Sequence, residues 1–165
     1  MKLELLKHYG VIELFMSGFN LETMAVDDPT SFNQNVVILS PIKHEDDRYS
    51  YPEHTADLKK VLQREMPGVE VTLLDESLPL EIQHSADVIM PVIDIGIQLI
   101  SNIGVSIVAN IIVSFILSKV KATDKDTTNV KLKVKIHDGK ESKELSYDGP
   151  ASEVSKLAEI MERMK

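Results

Sequence analysis

The chain has 165 residues and a mass of 18.5 kDa, with 18 Lys plus Arg against 26 Asp plus Glu, a formal net charge of −8 and a pI near 5.1. A composition of 43% hydrophobic and 27% charged residues fits one globular domain with at most a small appendage, and argues against a disordered tail. The acidic balance argues against affinity built on phosphate neutralisation, so no nucleic-acid partner is expected, and the lack of Cys excludes disulfides, thiolate metal sites and a cysteine nucleophile.

Residues 2–19 place Leu5, Tyr9, Ile12, Met16 and Phe19 at steps of three and four, the spacing of a short amphipathic helix. The polar stretch that follows, with Asp27-Asp28-Pro29, reads as a connection, so residues 1–34 form an N-terminal helix and linker ahead of an α/β domain at 35–165. Neither a secretory signal nor a lipidation motif is legible at the ends, which together with the missing Cys suggests a cytoplasmic protein.

Val36-Val37-Ile38-Leu39 is an apolar run ended by Ser40-Pro41, the pattern of a strand covered on both faces. After a charged loop, Thr55 is placed to cap a helix whose Leu58, Val61, Leu62 and Met66 share a face, and Pro67-Gly68 ends it. Val69, Val71 and Leu73 alternate with polar residues in a second strand, and the strand, helix, strand succession is long enough for a parallel crossover. Further on, Val130, Leu132, Val134 and Ile136 alternate with Lys131, Lys133, Lys135 and His137, and Asp138-Gly139 signals a hairpin turn. A two-residue loop sets Leu132 opposite Leu145, Val130 opposite Tyr147 and Lys133 opposite Glu144. Gly149-Pro150 then opens a last helix with Val154, Leu157, Met161 and Met164 on one side, so residues 130–165 read as hairpin plus helix.

Residues 86–121 read as an apolar helical tract, and the 24 residues between Asp94 and Lys119 carry no charge, long enough for a membrane span. Its polar residues fall at every fourth position: Asp94, Gln98, Asn102, Ser106, Asn110, Ser114 and Ser118. Each step of four drifts by about 40° on a straight helix, so seven positions sweep roughly 240° and cannot form one narrow stripe. Three arrangements accommodate this. The preferred one is a core helical hairpin, two shorter helices broken near Asn102-Ile103-Gly104, each with its own polar sector. The others are one helix whose polar row is an assembly stripe in a homo-oligomer, and a lipid-facing span, which would leave Asn102 and Asn110 without partners at a cost of kilocalories.

Candidate chemistry is sparse. His44-Glu45-Asp46-Asp47, with His54 ten positions on from His44, follows a strand end where ligand sites gather in open α/β sheets. Its spacing matches neither a two-histidine zinc helix nor a calcium loop, so it reads as solvated, and no metal or cofactor is expected. Ser40-Pro41 lacks the glycine frame of a nucleophile elbow, and no Gly-rich phosphate loop occurs. The lysines of the hairpin read as protection of an exposed strand.

The helix around Asp57-Leu58-Lys59-Lys60-Val61-Leu62-Gln63-Arg64-Glu65, the tract from Val88 to Val120, and the hairpin Val130 to Asp148 followed by Ser152 to Met164 resemble the effector-associated constant component domains of bacterial conflict systems. The resemblance implies a non-catalytic adaptor with a protein partner and no catalytic residues. A fainter resemblance, through Ile38-Leu39-Ser40-Pro41 and Ala86-Asp87-Val88-Ile89-Met90, is to small α/β nucleotide- or nucleoside-processing enzymes, and implies a strand at 86–93. The expected architecture is α/β (α+β): a small mixed sheet of strands 36–40, 69–74, 130–137 and 143–148 covered by helices. The expected function is a non-enzymatic interaction module, with a membrane-acting effector inserting residues 95–118 as the alternative.

Overall fold

A computed structural model describes residues 19–25, 35–82, 86–137 and 141–163. The N-terminal helix expected over residues 2–18 lies outside that range. Phe19, read as its last apolar position, instead opens a strand, β1 (Phe19–Ala25), where a polar connection was expected.

The main sheet combines β1 with β2 (Val36–Ser40), β5 (Glu70–Leu73), β7 (Val88–Gly96), β8 (Asn129–His137) and β9 (Glu141–Pro150), in the spatial order β1-β9-β8-β7-β2-β5. A second, three-stranded sheet holds β3 (Ile42–Lys43), β4 (Tyr49–Pro52) and β6 (Leu80–Glu81). The helices are α1 (Thr55–Glu65), α2 (Ile97–Ile103), α3 (Val105–Ser118) and α4 (Leu157–Glu162), the last preceded by a 3-10 turn at Ala151–Lys156. The mixed α+β class and the helix-covered sheet are as expected, and the four expected strands are joined by β1 and β7.

β7 corrects the reading of residues 86–121 as wholly helical. Val88 to Gly96 is a strand, parallel to β8 and antiparallel to β2, as the fainter resemblance implied for part of it. Apolar runs of this length do not distinguish a covered strand from a buried helix. Pro91 supplies the missing cue: it has no N–H for a sheet ladder, and the register with β8 shifts between Ile89 and Val92 around it.

The remainder of the tract is two helices meeting at a 98° bend. The break falls on Gly104, whose φ of 100° and ψ of 143° suit a residue without a side chain. On α2, Leu99 and Ile100 are buried, and on α3 Val105, Val108, Ala109, Ile112, Val113, Phe115 and Ile116 are buried. Ser106, Asn110, Ser114 and Ser118 face outward. Four positions at steps of four sweep only about 120°, so the break resolves the drift that one straight helix could not absorb.

α1 connects β2 to its parallel neighbour β5, the expected crossover. Thr55 does not cap α1. Its hydroxyl donates to the Pro52 carbonyl at 2.7 Å, and His54 occupies the cap position. The β8–β9 hairpin is offset by two residues from the expected pairing: Leu132 opposes Tyr147, Val134 opposes Leu145 and Lys135 opposes Glu144. A two-residue offset keeps every side chain on its face, and it exchanges a Val134–Lys143 mismatch for an apolar pair. It also brings both Lys133, from the diagonal position, and Lys135, from directly opposite, to Glu144, at 3.3 and 3.5 Å.

One apolar cluster joins the inner faces of β2, β5, β7, β8 and β9 to the helices. At its edge the Tyr147 ring lies against Phe19, centroids 4.3 Å apart, and its hydroxyl donates to the Pro150 carbonyl. Gly149 makes room for that ring, since a Cβ there would sit 3.0 Å from the Tyr147 oxygen. Burial, then the charges of Glu153 and Asp148, push the phenol up to about 12 from an ordinary 10.0.

Replacing Gly104 with Ala is expected to cost about 1–3 kcal/mol in urea unfolding, because a Cβ carries strain at that φ. The folded state holds the Tyr147 proton more firmly than the unfolded chain does, so this contribution is intact below the ordinary value of 10.0 and is lost as pH rises towards about 12. Tyrosinate absorbance should show a late step near that value, and Tyr147→Phe should remove it.

Candidate functional site

Three places gather polar or accessible side chains, and their geometry separates them. The first is on the face of the main sheet opposite the helices. Asp94, near the C-terminal end of β7, accepts a hydrogen bond from the Ser40 hydroxyl at 2.6 Å and lies 3.1 Å from His137 Nε2. Asp94 is only 8% exposed, so a covered carboxylate is matched with two cross-strand partners. The carboxylate stands between hydroxyl and imidazole. In a hydrolytic relay the imidazole takes that central position, so Ser40 has no base within this group. The arrangement ties β2, β7 and β8 together.

The second place is the charged loop between β3 and β4. His44 Nε2 lies 2.5 Å from the Ser50 hydroxyl and 3.4 Å from Glu81 Oε2. One ring nitrogen serves both contacts, and Ser50 is 1% exposed, so this is no nucleophile and base pair open to substrate. Arg48 bridges Asp46 at 2.6 Å and Glu81 at 2.7 Å, pinning the loop to β6. The Arg48 guanidinium holds the Asp46 carboxyl below its ordinary value, and Asp46 and Glu81 raise that of Arg48 in turn. His54 lies beside Glu53 at 3.5 Å, apart from these contacts. Among the described residues no three His, Asp or Glu side chains are grouped to hold a metal ion.

The third place is the outer face of α2 and α3. The expected stripe divides here: Asp94 belongs to the sheet, Gln98 and Asn102 are exposed on α2, and Ser106, Asn110, Ser114 and Ser118 are exposed on α3. Ser101 and Ile107 join them, Ile107 being 54% exposed. None of these outward residues is charged, whereas most exposed positions elsewhere among the described residues are. Ser106 donates to Glu162 at 3.1 Å, and Ser118 donates back to the Phe115 carbonyl at 2.5 Å. Asn110 and Ser114 line a groove of about 530 Å³ between α3 and α1, with Val61, Ile111 and Phe115 as apolar lining and Arg64 and Glu65 on the α1 side. Lys119 to Asp57 at 3.6 Å fixes the end of α3 to the first turn of α1, so the two helices run in opposite directions.

The pattern of four picked out the polar wall of this groove. It could not supply the α1 wall, although Val61, at the margin of the apolar positions of its helix, was a signal that one side chain faces outward. The Ser40, Asp94 and His137 group was missed because its members come from three segments; a lone Asp within an apolar strand was the available cue. Comparison with protein families, with curated proteins and with solved structures returned no match.

Proposed function

We propose that the chain is a non-catalytic adaptor that engages a protein partner through the uncharged outer face of α2 and α3, in a bacterial defence-type system of the kind its resemblance implies. The observation that carries this reading is the absence of charge from the exposed positions between Gln98 and Ser118, whereas most other exposed positions among the described residues are charged. Depletion of charge with retention of apolar and small polar groups marks the centre of protein interfaces, because a buried charge needs a partner and a buried amide or hydroxyl needs only one hydrogen bond. The groove beside α1 supplies a recess for an apolar side chain, with Asn110 and Ser114 at its margin.

A specific observation favours a second reading, a membrane-acting effector. No single helix among the described residues is long and apolar enough to cross a membrane, but α2 and α3 together have the length and composition of a broken span. Insertion would withdraw the buried side chains of α3 from the core. The α3 side chains would regain apolar surroundings in lipid, but the sheet and helix side chains they cover would be exposed to water at about 1.5–3 kcal/mol for each large one, on the order of 10 kcal/mol in all, the size of a domain's whole stability. The fold would have to open first.

The full chain, used as bait, should retain a partner that the double variant Asn110→Arg, Ser114→Arg releases, with both proteins giving the same circular dichroism and thermal midpoint. Equal retention by the two, or turnover of a nucleotide or nucleoside by the purified chain, counts against the adaptor. Persistence in the membrane pellet after a carbonate wash selects the effector.

A further inference from the structure

We infer that the small sheet of β3, β4 and β6 carries a docking surface of its own, separate from the α2–α3 face, for a segment of a partner protein in which Lys or Arg is interleaved with apolar side chains. The two faces of this sheet differ in kind. Ile42 opposes Ser50 across β3 and β4, and Pro52 stands beside Glu81 across β4 and β6. Ser50, Glu81 and His44 therefore share one face, where His44 Nε2 meets both of the others. Lys43 opposes Tyr49, and Leu80 stands beside Tyr51, so these four share the other face. The Tyr51 hydroxyl accepts from the Asp75 backbone N–H at 2.9 Å, which brings Leu74 and Asp75 to the margin of that second face.

Tyr51 itself is buried, but its neighbours Leu74, Leu80, Ile82 and Tyr49 are 63, 53, 74 and 48% exposed. They are four of the five large apolar side chains so exposed among the described residues. Single exposed apolar groups are ordinary on a protein surface, whereas a gathering on one small element marks a contact surface.

Charge says what kind of partner fits. Residues 42–53 and 74–82, which build the small sheet, carry seven carboxylates against the two cations Lys43 and Arg48, five of the chain's eight net negative charges. Both cations are committed within it, Lys43 to Asp47 at 3.3 Å and Arg48 to Asp46 and Glu81. Ser77 bonds the Asp75 carboxylate through its hydroxyl and its backbone N–H, and holds that carboxyl below its ordinary value, so the charge persists through the neutral range. Apolar side chains rimmed by surplus carboxylate select a segment that joins apolar groups to ammonium or guanidinium, and the same surplus draws such a segment in from a distance. A second copy, bearing the same surplus, is repelled.

Fluorescence anisotropy of the full chain with three labelled dodecapeptides, repeats of Lys-Leu-Lys-Ser, of Lys-Ser-Lys-Ser and of Glu-Leu-Glu-Ser, separates the two components of this recognition. The first should bind, the second about tenfold more weakly, and the third not at all at about 500 μM chain. Leu80→Ser with Ile82→Ser, both at exposed positions, should weaken the first peptide about tenfold at unchanged circular dichroism and thermal midpoint. Glu45→Gln with Glu76→Gln should weaken it about threefold and make its binding less sensitive to salt. Glu141→Gln with Glu159→Gln removes as much charge outside the small sheet and should change binding by less than about twofold. Failure of the Lys-Leu peptide to bind, binding indifferent to Leu80 and Ile82, or a loss in the Glu141 and Glu159 variant as great as in the Glu45 and Glu76 variant overturns the inference. So does a dimer of the chain that Leu80→Ser and Ile82→Ser dissolve, since a second copy would then occupy this face. None of these outcomes bears on the α2–α3 reading, whose residues stay unchanged throughout.

Discussion

β2 and β7 lie side by side within the main sheet and run in opposite directions. From β2 the chain crosses through α1 to β5 on one flank, and from β7 it crosses through α2 and α3 to β8 on the other. Both crossovers join parallel neighbours, for which a right-handed path is strongly favoured. Stepping outward to opposite flanks from strands of opposite direction, two paths of the same hand place their helices on the same side of the sheet. The antiparallel pair therefore gathers α1, α2 and α3 on one face. It leaves the other face to Ser40, Asp94, His137 and the lysines of β8 with Glu144, which answer one another's charges and hydrogen bonds.

Gathering the helices on one face also explains why the longest uncharged stretch is neither a span nor a straight rod. The chain leaves β7 at Gly96, enters α2 directly, and has to turn before a second helix can lie between α1 and α4. Gly104 makes that turn at a backbone geometry a side chain would resist. Each of the two helices then keeps an apolar side for the sheet and a neutral polar side outward. The same bend that satisfies the core creates the groove with α1, so the candidate surface is a by-product of how the crossover packs.

Much of this was legible from residue order where one period dominates. The four-residue run Val36 to Leu39, the alternation from Val130 to Ile136 and the position of the break near Gly104 rest on local sterics and burial, which periodicity reports directly. The strand at Val88 to Gly96 was hidden because it is covered on its inner face and continues into a helix without a polar break. The Leu132–Tyr147 register was hidden because faces are invariant to a shift of two, leaving the choice to pairings across the hairpin. β1 was obscured because its partner, β9, lies at the other end of the chain. The candidate face was half legible: the row from Gln98 to Ser118 could be read, but the wall that α1 adds depends on tertiary placement.

That last pairing bears on how the protein is made. β1 finds its place only beside β9, with Phe19 opposite Tyr147. One edge of the sheet must therefore wait until residues 141–150 are available. Contacts so distant in sequence slow folding, since a long loop closes before they repay it. Until then the nascent chain carries β8 and its neighbours with an unpaired margin. Until β9 pairs, the sheet ends at β8, and β9 closes that open margin by lying between β8 and β1.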